Sequence, residues 1–418
     1  MPDAVDGAMR ALIGRRKPGH SLEAAFYTSP EVFRADMDVI FGRHWIQVGV
    51  SPDVPEPGDA MAMDIGAHAI LIVRGDDMGI RAFHNVCRHR GARLLPLGKS
   101  AVGNLVCRYH TWTYGLDGAL LHANHMGAGF DPACHGLKPV HLRDIAGLLF
   151  ICLADEPPED IDDMARVMAP YLAPHGIAAC KVAAEVDLVE NGNWKLTMEN
   201  NRECYHCSAN HPELTVPLFA YGFGFAPESV DAAERAHVAR YEAMARDLRA
   251  GWEGGGLPSA LVERLDATVT GFRAERLPID QAGESQTADT RRASRRLLGR
   301  LTDARLGGLT FWTQPNSWHH VMADHAVTFS AIPLDPDHTL LRTKWLVHKD
   351  AVEGQDYDLA NLTGVWMATN AQDAALVEMA QAGLRSPAYE PGPYSPHTEM
   401  LVEKFCRWYL GRLASPLP

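Results

Sequence analysis

The stretch HNVCRHRGARLLPLGKSAVGNLVCRYH (84–110) decides the fold of the first half of this chain. It holds Cys87 and His89 as a C-x-H pair and, after 17 intervening residues, Cys107 and His110 as a C-x-x-H pair. Each pair supplies one thiolate and one imidazole. That mixture suits a [2Fe–2S] cluster in which two cysteines hold one iron and two histidines hold the other. The stretch therefore predicts a domain that handles electrons.

A zinc site is the alternative for these four ligands. Zinc fingers usually group two cysteines and then two histidines, whereas here each half contains one of each. The mixed order favours the iron–sulfur cluster. Short apolar or alternating runs punctuated by Gly and Pro extend from about Trp45 to Leu153, which predicts a small all-β domain around the motif.

Length and composition limit the number of domains, the class of partner and the cellular compartment to be expected. A length of 418 residues favours two domains, and a net charge of −13 argues against a nucleic-acid partner. Eight cysteines are too few for a disulfide scaffold, so a reducing cytoplasm fits best. No long apolar run follows the Arg15–Arg16 pair, and we expect neither a signal peptide nor a membrane span.

Changes in pattern along the chain predict its organisation. An acidic, proline-rich stretch at 155–163 (DEPPEDIDD) predicts a boundary between two domains. The predicted regions are a helical lead-in at 1–44 that packs on the second domain, an all-β domain at 45–155, and a second domain at 156–418 with a variable insertion of short helices and loops at 228–305. In the second domain we expect strands at 181–189, 310–313, 326–332 and 340–347, and helices at 194–209, 357–382 and 398–413.

A second candidate metal site lies in ENNRECYHCSANHPE (199–213). His206 and His211 are five residues apart, so on a continuous helix their side chains diverge by about 140°. Pro212 disfavours helical backbone at His211, which can then turn back toward His206. The alternatives are a redox-active Cys204–Cys207 dithiol, which lacks the expected βαβ context, and two ordinary histidines near a helix end.

Two histidines need a carboxylate to form the facial triad of an Fe(II) oxygenase, which leaves positions open for O2 and substrate. In the predicted helix 357–382, Asp373 lies seven residues after Trp366, on the apolar stripe. A carboxylate on a buried face costs several kcal/mol unless it is paired or binds a metal. Asp373 is therefore the predicted third ligand, whereas Glu378 is turned toward solvent. An Asp373 that pairs locally is the alternative.

Both motifs with their flanks, NVCRHRGARL…CRYHTWTYGLDG and Glu203-x-x-His206-x4-His211 with the distant Asp373, resemble the alpha subunits of Rieske non-haem iron oxygenases. The resemblance implies an α+β fold, with an all-β Rieske [2Fe–2S] domain and a helix-grip-like catalytic domain of antiparallel sheet and helices. It also implies a homotrimer in which Glu203 relays electrons from one subunit's cluster to the next subunit's iron. Thr111 stands where many members have Gly.

Longer blocks, including NWKLTMENNRECYHC (193–207) and TKWLVHKDAVEGQDYD (343–358), resemble most the oxygenase components of glycine betaine and stachydrine (proline betaine) demethylases. That likeness implies an NAD(P)H-dependent monooxygenase served by a separate flavin/ferredoxin reductase. It uses O2 and a mononuclear Fe(II) to hydroxylate an N-methyl group of a small cationic or zwitterionic betaine, and the adduct releases formaldehyde. The alternatives are hydroxylation of choline, carnitine or an aromatic substrate without demethylation, and a simple electron carrier, for which about a hundred residues suffice.

A quaternary ammonium is held best by aromatic faces. The candidate walls of the substrate site are Phe219, Tyr221, Phe223, Phe311, Trp312 and Trp318, each of which has ordinary core packing as its alternative. The candidate donors to a betaine carboxylate are His319, His320 and Asn316.

Overall fold

The computed structural model describes residues 7–415 and 417; the predicted lead-in at 1–44 begins outside this range. Alternating apolar residues in the first half form short strands, as predicted. These strands are β1 Ile46–Val50, β2 Asp59–Ile65, β3 His68–Arg74, β4 Ile80–His84, β5 Gly98–Ala101, β6 Leu105–Val106, β7 Thr113–Tyr114, β8 Leu120–His122, β9 Pro139–Ile145 and β10 Leu148–Cys152. They form one sheet in the order β1-β10-β9-β4-β3-β2-β5 and a small sheet β6-β7-β8.

The second half is built on one antiparallel sheet in the order β11-β17-β16-β15-β14-β13-β12. Its strands are β11 Cys180–Glu190, β12 Val262–Glu263, β13 Phe272–Leu277, β14 Gly308–Thr313, β15 Ser317–Val321, β16 His325–Asp335 and β17 His338–His348. The strands predicted at 181–189, 310–313, 326–332 and 340–347 are confirmed as parts of β11, β14, β16 and β17.

The helices cover the two faces of this sheet. They are α1 Gly7–Gly14, α2 Ala25–Thr28, α3 Pro30–Ala35, α4 Asp160–Leu172, α5 Trp194–Asn201, α6 Cys207–Asn210, α7 Ala232–Gly254, α8 Leu359–Leu384 and α9 Met400–Ala414. One core cluster joins the sheet to α5, α8 and α9, and a second joins the opposite face to α4. The expected antiparallel sheet with helices is thereby confirmed. In the described part of the chain, no helix is long and apolar enough to cross a membrane.

The prediction of short helices and loops at 228–305 is wrong in two places. Residues 232–254 form one 23-residue helix that begins with a capping box between Asp231 and Glu234. Val238, Tyr241 and Ala245 form its buried stripe, which charged neighbours obscure in the sequence. Residues 272–277 are a strand of the main sheet, paired along its length with β14.

Candidate metal centres and active site

Two loops with the same hydrogen-bond pattern carry the four predicted cluster ligands. The Cys87 amide donates to the Ala92 carbonyl at 2.8 Å, and the Cys107 amide donates to the Trp112 carbonyl at 2.8 Å. The fourth residue after each cysteine adopts a left-handed backbone, with φ of 77° at Gly91 and 57° at Thr111. A residue with a side chain is strained there, which explains physically why glycine suits this position.

The loops bury the sulfur ligands and expose the nitrogen ligands. Cys87 and Cys107 are 3% and 2% exposed, whereas His89 is exposed and His110 is half-buried. The two imidazole rings lie 4.6 Å apart between centroids. Two converging thiolates and two converging imidazoles fit a [2Fe–2S] cluster whose histidine-bound iron faces the outside.

Tyr114 contributes a hydrogen bond to this site that the sequence did not single out. Its hydroxyl lies 3.3 Å from Cys87 Sγ and accepts the Arg88 amide at 3.0 Å. With Cys87 as a thiolate, the hydroxyl donates to the sulfur. Such a bond stabilises the more negative, reduced form of a cluster and raises its reduction potential.

We therefore expect Tyr114→Phe to lower the cluster's reduction potential. The shift should be on the order of 50 mV, which is about 1 kcal/mol for a one-electron couple. A redox titration followed by the cluster's EPR signal measures it. Tyr109→Phe is the matched control, because the Tyr109 ring stacks on His110 and, among the described contacts, its hydroxyl has no bond to a cluster sulfur; the Tyr109 backbone, which bonds Cys107, is unchanged by the substitution. Equal shifts in both variants would contradict this role of Tyr114.

The candidate iron site forms where the helical segment 194–210 breaks. The single helix predicted at 194–209 is wrong: α5 ends at Asn201, a turn follows, and α6 spans Cys207–Asn210. His211 has φ −122° and ψ 69°, outside the helical region and directly before Pro212, as predicted. With α6 lying between them and ending directly before His211, the His206 and His211 rings are 5.0 Å apart between centroids.

Helix α8 brings Asp373 to the same point. Asp373 Oδ1 lies 3.4 Å from His206 Nε2 and 3.0 Å from His211 Nε2. Although the second distance is short, neither His211 Nε2 nor Asp373 Oδ1 has a well-formed hydrogen bond. Three ligand atoms that converge without bonding one another fit a metal ion better than a hydrogen-bonded cluster.

Neighbouring side chains fix the orientation of both imidazoles. Glu203 Oε1 is bonded to His206 Nδ1, and Gln372 Oε1 lies 2.8 Å from His211 Nδ1. Gln372 is itself held by Glu213 at 2.8 Å. With both Nδ1 atoms engaged, both Nε2 atoms are directed to the metal position, an arrangement typical of histidine metal ligands.

The charge of the site favours a cation. Burial opposes protonation of His206, but the nearby carboxylates of Asp373 and Glu203 raise its pKa to about 9. Burial likewise opposes ionisation of Asp373, yet His206 and His211 keep the pKa of that carboxyl below its usual value. The side chains therefore create a strongly negative potential at the point where their ligand atoms meet.

Cys204 and Cys207, which flank the candidate ligand His206, are joined by a disulfide. Although Cys207 Sγ lies close to both histidines, its sulfur is bonded to Cys204 and is not a free thiolate. A thiolate is the form of cysteine that binds metals. Asp373 therefore remains the better third ligand.

A cavity beside these ligands contains only some of the predicted substrate-binding residues. Its walls include Phe223, Trp312, His320 and Trp366. The other predicted residues lie elsewhere. Phe219 and Tyr221 pack with α7, and Phe311 and His319 lie on the sheet face that packs on α4. Trp318 stacks on Phe329 in the core, and Asn316 hydrogen-bonds the Gln47 backbone.

The two halves of the chain match known protein families. Residues 44–139 match the Rieske [2Fe–2S] domain, and residues 177–415 match the catalytic domain of the ring-hydroxylating alpha subunit. The chain belongs to the Rieske ring-hydroxylating oxygenase family. Members are oxidoreductases in which electrons supplied by NAD(P)H pass through a [2Fe–2S] cluster to a mononuclear non-haem iron, where O2 is used. The donor sets described above fit both groups.

Relatives and solved structures agree with this assignment. The chain is 45% identical to the glycine betaine monooxygenase oxygenase subunit of Chromohalobacter salexigens, over 99% of this chain and 90% of that protein. It is 39% identical to the subunit of the same name from Pseudomonas aeruginosa, over 99% and 95%. The quaternary ammonium Rieske monooxygenase CntA, solved with L-carnitine, shares the fold with a TM-score of 0.69 at 21% identity, covering 96% and 97% of the two chains.

Proposed function

We propose that this Rieske oxygenase hydroxylates an N-methyl group of a betaine and thereby demethylates it, with glycine betaine as the leading substrate. The observation that carries the proposal is the similarity over 99% of the chain to two glycine betaine monooxygenase oxygenase subunits. Stachydrine is the related alternative. When bound, the iron of this family supplies O2 activation.

The chain's own residues hold the metal and control access to it. His206, His211 and Asp373 are the proposed iron ligands, and Cys87, His89, Cys107 and His110 the proposed cluster ligands. Phe223, Trp312 and Trp366 line the cavity and limit its water content. After hydroxylation, the N–CH2OH adduct loses formaldehyde because its C–N bond breaks, the hydroxyl proton is lost and the electron pair stays on nitrogen.

We further propose a homotrimer served by a separate reductase. In the described chain, the hydrogen bonds and ring contacts of His89 and His110 remain within the cluster loops and do not reach residues 199–213. Glu203 lies on the other centre, bonded to His206 and 13% exposed. Two partly exposed centres without mutual contact support electron transfer between neighbouring subunits, with Glu203 as the relay.

Formaldehyde release tests the activity. The purified protein with a compatible reductase should release about one formaldehyde per NADH consumed with glycine betaine, since one hydroxylation uses two electrons. Hydroxylated product without formaldehyde would replace demethylation by simple hydroxylation. NADH consumption without either product, across glycine betaine, stachydrine, carnitine and choline, would refute the proposal.

A further inference from the structure

Two buried arginines lie directly against one wall of the active-site cavity. Arg202 is fully buried and Arg273 is 6% exposed. Their guanidinium carbons lie 4.9 Å and 5.2 Å from the ring centre of Trp312, which lines the cavity. Arg273 and Trp312 are direct partners on β13 and β14 and so share one face of the sheet. The wall at Trp312 is thus backed by positive charge.

Among the residues that the structure describes, carboxylates neutralise this positive charge only in part. Arg202 donates to three neutral acceptors, which are Asn201 Oδ1 at 2.8 Å, the Thr313 carbonyl at 3.2 Å and Gln314 Oε1 at 3.3 Å. In the described chain it has no carboxylate within ion-pair distance. Arg273 pairs with Glu275 at 2.7 Å, but Glu275 also pairs with Arg249 at 3.2 Å. A buried cation without a counterion is strongly destabilising.

Several donors at this wall also lack acceptors. At this wall, and counting partners among the described residues, the buried N–H groups without a hydrogen-bond partner are Trp312 Nε1, Arg202 Nε and, on Arg273, Nε and Nη1. Burial, reinforced by the charge of Arg273, lowers the pKa of Arg202 to about 9, which leaves its guanidinium charged at neutral pH. The nearby imidazoles add none, because burial lowers the pKa of both His319 and His320 to about 3. Unpaired donors in a positive field are suited to an anion.

The part of the cavity formed by the metal ligands has a different charge. His206, His211, Asp373 and Glu203 all line it there. The two carboxylates balance a divalent iron, which leaves the Trp312 side as the positive end. This difference in charge between the two parts of the cavity orients a zwitterion. Its carboxylate lies toward the arginines and its N-methyl groups lie toward the metal ligands.

We propose that the substrate's carboxylate binds at the Trp312 wall, accepts a hydrogen bond from the indole N–H, and lies in the field of Arg202 and Arg273. This contact selects carboxylated quaternary amines over plain cations such as choline. The inference rests on the proposed betaine activity and adds where the substrate's anionic end lies. It also changes the expected role of Trp312, whose ring already stacks with Phe223 and both guanidinium groups rather than facing the ammonium.

Replacing Arg273 by methionine tests the proposal, since methionine keeps an apolar stem and removes the charge. For glycine betaine we expect KM to rise at least about tenfold with kcat little changed, because a charge-assisted contact common to ground and transition state is lost. For choline, which has no carboxylate, KM should stay constant or fall. Arg273→Lys, which restores a positive charge, should return the KM for glycine betaine most of the way to the wild-type value. The readouts are formaldehyde release and equilibrium binding of both compounds to the iron-loaded enzyme.

Arg249→Met is the matched control, because Arg249 shares Glu275 but does not stack on Trp312. It should leave both KM values within about twofold, as expected for a partly exposed ion pair. Equal losses for glycine betaine and choline in Arg273→Met, or no loss for either, would overturn the carboxylate site. If Arg273→Met fails to fold, Trp312→Phe removes the indole donor and must weaken glycine betaine selectively. A wild-type enzyme that neither binds nor demethylates any betaine refutes the proposed function itself.

Discussion

Asp373→Ala is expected to remove the mononuclear iron and abolish turnover while the Rieske cluster stays intact. Asp373 Oδ1 is the carboxylate atom that approaches both His206 and His211 Nε2, at 3.4 Å and 3.0 Å. Two neutral imidazoles alone are a weak site for Fe(II), which prefers two histidines with one carboxylate. Iron content should fall from about three to about two atoms per chain, with the cluster's visible absorption unchanged.

Glu378→Ala provides the control on the same helix. Glu378 is an exposed residue of α8, so its loss should leave both iron content and activity unchanged. Hydrogen peroxide adds a second readout, because it delivers oxygen already reduced by two electrons and needs no cluster. An Asp373→Ala protein that retains about three irons per chain, or releases formaldehyde with peroxide, would show that Asp373 is not a ligand.

The candidate metal ligands could be proposed from the sequence because each set has a local sequence pattern that its chemistry requires. Cys87, His89, Cys107 and His110 have a mixed spacing that few other sites need, and Asp373 interrupts an apolar stripe at helical period. Each signal lies within one element or one pair of loops. The structure brings these residues together at the distances such sites require.

The residues that line the substrate cavity were less predictable, because the pairing of strands and the contacts between distant segments decide which side chains face it. Phe311 and Trp312 are adjacent in sequence, yet they point to opposite faces of one sheet, and only Trp312 lines the cavity. Arg202 is buried by contacts to Thr313 and Gln314, more than a hundred residues away, at the point where α5 ends. A local pattern does not reveal such partners, so neither the end of α5 at Asn201 nor the arginine wall was predicted.

Glu203→Gln is expected to leave both metal centres in place and reduce NADH-driven turnover by about 100-fold, a loss typical when a carboxylate that hydrogen-bonds a metal-ligating histidine is replaced. Glu203 hydrogen-bonds His206 at Nδ1, the ring nitrogen that does not face the metal position, and glutamine can still accept that hydrogen bond. The ligand set is therefore unchanged, while the carboxylate proposed to join this centre to a neighbouring subunit's cluster is lost. In stopped-flow experiments, the pre-reduced cluster should remain reduced after mixing with substrate and O2.

Glu213→Gln separates this role from a general effect of charge. Glu213 also lies beside the iron site, but it bonds Gln372 rather than a histidine. Its replacement should cost only a few-fold in activity, because the bond can still be made by an amide. Peroxide-driven formaldehyde release should persist in Glu203→Gln and fail in Asp373→Ala, because only the latter loses the metal. If cluster oxidation in Glu203→Gln is as fast as in the wild type, electrons reach the iron by a path that does not use Glu203.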